Sequence, residues 1–157
     1  MRFYEFDRGQ ILIDGQDIKD YSQEALRKSI GLVLQEPFLY HGTIASNIRM
    51  YHEELTDEEI RQAAAFVDVA DFIESLPGGY DHPVTERGST LSTGQRQLLA
   101  FARTIAAQPK ILILDEATAN IDQETEEMIQ NSLKKMRQGR TTIAIAHRLS
   151  TIQDADC

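Results

Sequence analysis

The chain has 157 residues, of which 41% are hydrophobic and 26% are charged, so the composition favours one folded globular domain over disordered or fibrous classes. The formal net charge of −9 argues against a nucleic-acid binder with a basic surface, because phosphate neutralisation supplies most non-specific affinity. No stretch approaches the roughly 20 apolar residues that span a bilayer. The single cysteine, Cys157, excludes a disulfide framework and indicates a reducing compartment.

Two short strands are predicted first, and a helical region follows them. The strands lie between turn residues, at residues 9–15 and 31–35. Thr56 and Glu59 have the spacing of a capping box, which predicts the start of an amphipathic helix. A second helix is predicted to end at Pro77, and a third to run from about residue 95 to 107. The helical region therefore covers about residues 43–108.

A strand, a helix and another strand are predicted after this region. Residues 111–114 and 141–146 are continuous apolar runs, which are typical of strands covered on both faces. Between them, Asp122 is a predicted N-cap, acidic residues follow it, and basic residues precede a stop at Gly139. This order predicts a right-handed parallel crossover and an α/β fold.

Two adjacent carboxylates follow the strand at residues 111–114. Asp115 and Glu116 are expected at the carboxyl edge of a parallel sheet, where such folds bind ligands. Because side chains alternate along a strand, one carboxylate can bind Mg²⁺ while the other orients or deprotonates a water molecule. The alternative is a strand that simply ends at acidic turn residues.

A possible anion site precedes the third predicted helix, at Leu91, Ser92, Thr93, Gly94 and Gln95. The serine hydroxyl and the free N–H groups of a helix start can bind an anion, and the glycine allows close backbone approach. The alternative is an ordinary helix cap, which contributes about 1 kcal/mol.

Five motifs in order carry a family resemblance. They are VLQEPFLYHGTIASNI at 33–48, TERG at 85–88, LSTGQRQ at 91–97, ILILDEAT at 111–118 and AHRLST at 146–151. Over essentially its whole length the chain resembles the nucleotide-binding domains of ATP-binding cassette (ABC) exporters. The resemblance implies a P-loop NTPase-like (RecA-like) parallel sheet core with an inserted helical subdomain. The implied core pieces are residues 1–42 and 109–157, and the implied helical subdomain is 43–108.

The resemblance also implies catalytic and metal-binding roles. Glu116 is the implied catalytic glutamate, His147 the switch histidine near the γ-phosphate, and Gln35 the Q-loop glutamine. Asp115 is implied to bind Mg²⁺ of MgATP, with Gln35 reaching the same ion. From the residues alone, Gln35 also fits a polar turn residue, and His147 a partly exposed histidine at a strand end.

The remaining implied roles concern partners. Residues 91–95 are the implied signature motif, which contacts ATP held by the opposite subunit. Asp122 is implied to lie in the D-loop at the dimer interface, where it can still cap a helix. The implied partners are ATP, the transmembrane domains of the same transporter and a second nucleotide-binding domain, with no nucleic acid. The implied location is the cytoplasmic face of the cell membrane.

The sequence departs from the family pattern in two ways. No lysine follows a glycine, so the phosphate loop pattern G-x-x-x-x-G-K-[ST] does not occur in the 157 residues. We therefore expect an internal piece of a nucleotide-binding domain, truncated at both ends and inactive in isolation. The alternative function is that of a catalytically inactive remnant able only to make protein contacts. Secondly, Thr93 stands where the family usually has glycine, which favours one half of a heterodimeric exporter over a homodimer.

Overall fold

The computed structural model describes residues 2–85, 88–115 and 123–145. The strands are Leu12–Ile13 (β1), Gln16–Asp17 (β2), Ile30–Val33 (β3), Gly42–Thr43 (β4), Pro83–Val84 (β5), Ile111–Asp115 (β6) and Thr141–Ile145 (β7). The helices are Gln23–Ser29 (α1), Ile44–Arg49 (α2), Asp57–Phe66 (α3), Ala70–Ser75 (α4), Thr93–Ala106 (α5) and Gln123–Arg137 (α6), with a 3₁₀ turn at Gly79–Asp81.

The central sheet is parallel and has the order β3-β6-β7. Its register pairs Val33 with Leu114 and Asp115 with Ile145, so the three strands end at one carboxyl edge. The predicted α/β fold is confirmed. Two small antiparallel pairs, β1-β2 and β4-β5, lie outside this sheet.

The two faces of the sheet differ in exposure. Val33, Leu112 and Leu114 are buried on the face that packs against the helices. On the other face Leu34 and Ile145 are 50% and 53% exposed, so in the described part of the chain this face is largely open. The expectation of strands covered on both faces is therefore met on one face only, because the described helices that pack on the sheet bury one set of alternating side chains.

Helix α5 forms the centre of the core. Its buried side chains follow helical spacing and include Leu98, Phe101, Ala102 and Ile105. A glycine at position 31 allows α5 to approach β3, since a Cβ there would lie 2.7 Å from the Cγ2 atom of Thr104. The contact between helix and sheet therefore depends on the missing side chain.

The capping box predicted at Thr56 and Glu59 is confirmed at the start of α3. The carboxylate of Glu59 accepts hydrogen bonds from the N–H and the hydroxyl of Thr56, each at 2.8 Å. These bonds, the backbone one first, hold the pKa of Glu59 below its usual range.

Helix α6 packs against the end of α3. Buried Ser132 donates a hydrogen bond to the carbonyl of Val67 at 3.0 Å, and Lys135 forms an ion pair with Asp68 at 2.5 Å. Helix α6 ends two residues before Gly139, which has a φ of +69°, so the predicted stop is confirmed. Asp122, the predicted N-cap, lies outside the described residues. Among the described helices, none is long and apolar enough to cross a membrane.

Candidate functional site

Asp115 and Gln35 lie at or just after the carboxyl ends of two neighbouring strands. Asp115 ends β6, and Gln35 follows β3 by two residues. The register pairs Val33 with Leu114, so the chain that continues from β3 passes the level at which β6 ends and reaches Gln35 just beyond the same edge. Asp115 is half-buried and Gln35 is exposed, so both side chains are accessible from solvent. The predicted grouping of these two residues at one edge is consistent with this geometry.

Three other predicted residues, Glu116, Asp122 and His147, lie outside the described residues. The chain nevertheless places Glu116 directly after Asp115, and His147 two positions after the end of β7. Because β6 and β7 are parallel neighbours, both residues follow strands that end at the same edge. Their roles remain predictions.

Asp115 and Gln35 offer oxygen atoms of the kind that Mg²⁺ prefers. A Mg²⁺ ion bound with nucleotide commonly takes one or two protein carboxylates, with phosphate oxygens and water completing the coordination. The described residues contain no group of three or more acidic, histidine or cysteine side chains that could hold a metal alone. The donor set at this edge therefore fits a metal that arrives with a phosphate ligand.

The predicted signature residues lie at the start of α5 and form a capping box. The hydroxyl of Ser92 accepts the N–H of Gln95 at 3.1 Å, and the Gln95 side chain accepts the N–H of Ser92 at 2.9 Å. The ordinary-cap alternative is therefore present. Since the N–H groups of Thr93 and Gly94 belong to the first turn, they have no intrahelical acceptor and remain suited to an anion. One motif can serve both purposes.

Arg96 binds two residues of the predicted signature, Leu91 and Thr93. It donates to the carbonyl of Leu91 at 2.6 Å and to the hydroxyl oxygen of Thr93 at 3.1 Å. Sequence reasoning missed this residue, although its spacing of three from Thr93 on a helix was a usable signal. The Thr93 hydroxyl thus has a defined partner within its own helix.

Gln97 is a second residue that the sequence interpretation did not single out. It is 1% exposed, and its amide nitrogen has no hydrogen-bond partner within the described part of the chain. A buried amide is costly without a partner. The sequence does contain a signal for Gln97: it lies two residues after Gln95, on a side of α5 that is otherwise apolar.

The length of α5 separates the signature from the sheet. Thr104 contacts β3 through Leu32, at an Oγ1–O distance of 3.5 Å. With a rise of 1.5 Å per residue, Ser92 lies about 18 Å along the helix from Thr104. A surface pocket of about 230 Å³ near Phe66 and Arg140 contains none of the predicted site residues.

Comparisons with known proteins identify relatives over the whole chain. The family profile described as "ABC transporter" matches residues 1–119. The chain is 74% identical over 157 residues to the "Putative ABC transporter ATP-binding protein exp8" of Streptococcus pneumoniae, covering 100% of this chain and 27% of the relative. It is 53% identical over 155 residues to the "Probable multidrug resistance ABC transporter ATP-binding/permease protein YheH" of Bacillus subtilis, covering 99% of this chain and 23% of the relative.

A solved structure of a bacterial Atm1-family ABC exporter with ATP bound is similar in fold. The TM-score is 0.86 at 46% identity, and the match covers 99% of this chain and 27% of that chain. The chain thus spans about a quarter of the length of these relatives.

Proposed function

Because the chain belongs to the ABC transporter family, we propose that it is part of the nucleotide-binding domain of an exporter, in which MgATP hydrolysis drives transport across a membrane. The observation that carries the proposal is that Asp115 ends β6 and Gln35 follows the neighbouring strand β3 at the same carboxyl edge of the parallel sheet. In this role the domain works at the cytoplasmic face of the membrane, in contact with the transmembrane domains of the same transporter.

Each residue at the carboxyl edge of the sheet has a separate role in ATP hydrolysis. Asp115 would hold Mg²⁺ when the ion arrives with ATP, and Gln35 would contribute to the same site and orient the attacking water. Glu116 orients that water and accepts its proton, while His147 donates toward the γ-phosphate. The metal, when bound, offsets the negative charge that develops on the phosphate oxygens.

The signature acts on ATP held by a second nucleotide-binding domain. The separation of about 18 Å along α5 between Ser92 and the β3 contact supports this arrangement, because it keeps the signature away from the sheet. At the interface Ser92 and the free N–H groups of the first turn bind the γ-phosphate. Asp122 lies between the two domains in this arrangement.

A pair of nucleotide-binding domains holds two ATP molecules, and Thr93 weakens the site that its signature completes. The partner is therefore a different nucleotide-binding domain. Its hydroxyl oxygen already accepts a hydrogen bond from Arg96, and its β-branched side chain adds bulk where a glycine would allow the backbone to approach phosphate. Glu116 serves the competent site, and the Thr93 signature completes the weaker one.

The test of the proposed function is ATP hydrolysis by a chimera. In this protein, which we name the exp8 chimera, the 157 residues replace the matched segment of the Streptococcus pneumoniae relative. The exchange is conservative, because the two are 74% identical over 100% of this chain. We expect MgATP-dependent phosphate release from the purified chimera. The isolated 157-residue chain should show no micromolar MgATP binding by calorimetry, because it lacks a glycine–lysine pair for the phosphates.

The second candidate function is a catalytically inactive piece that makes only protein contacts. The absent phosphate-loop pattern in the 157 residues is what favours it. A chimera that assembles in membranes yet releases no phosphate would support this candidate and contradict the first. Micromolar MgATP affinity of the isolated chain would contradict our account of how the phosphates are held.

The Thr93→Gly change in a transporter carrying this domain should alter ATP turnover by at most about tenfold, or about 1.4 kcal/mol. The hydrogen bond that it removes runs from the charged Arg96 guanidinium to a hydroxyl of the same helix and touches no reacting atom. The measurement is steady-state phosphate release. Arg96→Met is the comparison variant, because it removes the same hydrogen bond and leaves Thr93 in place, although it also removes the bond to the carbonyl of Leu91. A loss for Thr93→Gly as large as that for Glu116→Gln would contradict the assignment of Thr93 to the weaker site.

A further inference from the structure

An arginine in the second half of α5 binds a segment far away in the sequence. The half-buried guanidinium of Arg103 donates to the carbonyl of Phe38 at 2.9 Å and to the carbonyl of Asn47 at 2.7 Å. A third hydrogen bond reaches the side-chain oxygen of Asn47 at 3.1 Å. All three acceptors belong to residues 38–47, which we call the 38–47 segment.

Asn47 extends this contact through the 38–47 segment. It is 2% exposed, and its amide nitrogen donates to the carbonyls of Tyr40 at 2.8 Å and Thr43 at 3.0 Å. Its oxygen also accepts the N–H of Tyr40 at 2.8 Å. One arginine and one asparagine thus satisfy backbone polar groups of residues 38–40, which precede β4 and belong to no helix or strand, and join them to the start of α2.

Two exposed aromatic rings are held by the same network. Phe38 and Tyr40 pack edge to face, with ring centroids 4.8 Å apart, and remain 43% and 45% exposed. The guanidinium carbon of Arg103 lies 5.8 Å from the centroid of the Tyr40 ring. The positions of both rings therefore depend on the position of Arg103, and so on the position of α5.

The contact joins two parts of the proposed site. The 38–47 segment begins three residues after Gln35, and Arg103 shares α5 with the signature. A helix of 14 residues moves as a rigid rod compared with a loop. The planar guanidinium of an arginine also fixes the directions of the hydrogen bonds that it donates, and the ammonium group of a lysine does not.

We propose that Arg103 is a positioning residue that makes α5 and the 38–47 segment move as one unit. A displacement of the signature end of α5 then reaches the chain that follows Gln35. This inference rests on the proposed function, because ATP is what displaces the signature.

The experiment is hydrogen–deuterium exchange of the exp8 chimera, with and without MgATP. Arg103→Met removes the three hydrogen bonds, and Arg103→Lys keeps the charge and serves as the second variant should the first fail to fold. Arg140→Met is the matched control, because Arg140 also binds backbone carbonyls, those of Pro109 and Met136, but none in the 38–47 segment.

Without nucleotide, Arg103→Met should speed exchange of the Tyr40 amide at least about tenfold, since a lost hydrogen-bond network of this kind is worth more than 1.4 kcal/mol, or one factor of ten. Arg103→Lys should show a smaller increase and Arg140→Met none. An unchanged Tyr40 amide in Arg103→Met would overturn the proposal.

With MgATP, the unmodified chimera should gain protection at residues 91–97 and in the 38–47 segment together. Arg103→Met should keep the gain at 91–97 and lose it in the 38–47 segment, a result that a merely structural arginine would not produce. Retention of both gains would overturn the proposal. Absence of any gain at 91–97 would instead contradict the proposed function, and the Tyr40 amide would still decide whether Arg103 holds the segment.

Discussion

Glu116→Gln should lower MgATP hydrolysis by the exp8 chimera about 10²- to 10⁴-fold, the range by which a positioned general base accelerates a reaction. Glutamine has nearly the same shape and can still hold a water molecule, but it cannot accept a proton. Glu116 directly follows Asp115 at the carboxyl edge of the sheet, so its loss should leave the metal ligand in place. The measurement is phosphate release at saturating MgATP.

Nucleotide binding separates this prediction from a folding defect. Glu116→Gln should retain MgATP binding, because Asp115, Gln35 and the signature are unchanged. Glu127→Gln, which neutralises a carboxylate in the exposed part of α6, is the matched control and should hydrolyse ATP normally. Full hydrolysis by Glu116→Gln would contradict its assignment as the catalytic glutamate.

Phe101→Ala should destabilise the domain by about 3–5 kcal/mol, the usual cost of removing a buried aromatic ring. Phe101 is 0% exposed on α5, within the cluster that also contains Leu39, Ile48 and Leu112. The cavity would lie between the sheet and the helical region, so both should loosen together. Urea denaturation of the exp8 chimera, followed by tyrosine fluorescence and by limited proteolysis within this domain, is the measurement.

Phe66→Ala is the matched control for this change. Phe66 ends α3 and is 37% exposed, so much of its ring already contacts water. Its replacement should cost about 1 kcal/mol, in the range typical of partly exposed positions. Equal losses for the two variants would contradict the placement of Phe101 at the centre of the core.

The elements that the sequence predicts best are those with local signals. Strand β6 contains four consecutive apolar residues and β7 a run of β-branched and apolar ones, and the helices α3 and α5 each begin at a capping box, Thr56–Glu59 and Ser92–Gln95. Helices α1 and α2 have only 7 and 6 residues, too few for a helical period to stand out. The two-residue strands β4 and β5 are set by pairing between distant residues, which no local pattern reports.

The residues of the candidate site also differ in how well the sequence predicts them. Asp115 and residues 91–95 belong to motifs with recognisable neighbours, so the order of the amino acids is enough to predict roles for them. It is not enough for Arg96 and Arg103, because both bind backbone carbonyls, which every residue carries. Only the folded backbone shows which carbonyl an arginine reaches.

The hydrogen bond from Arg103 to the carbonyl of Phe38 joins residues 65 positions apart in the sequence. This separation determines which parts of the domain can fold first during translation. A ribosome adds about 5–20 residues per second, so the arginine follows Phe38 by roughly 3 to 13 s. Helix α3 closes its capping box within four residues and can form during that interval. The loop after Gln35, by contrast, must wait for translation of α5 before it acquires its native shape.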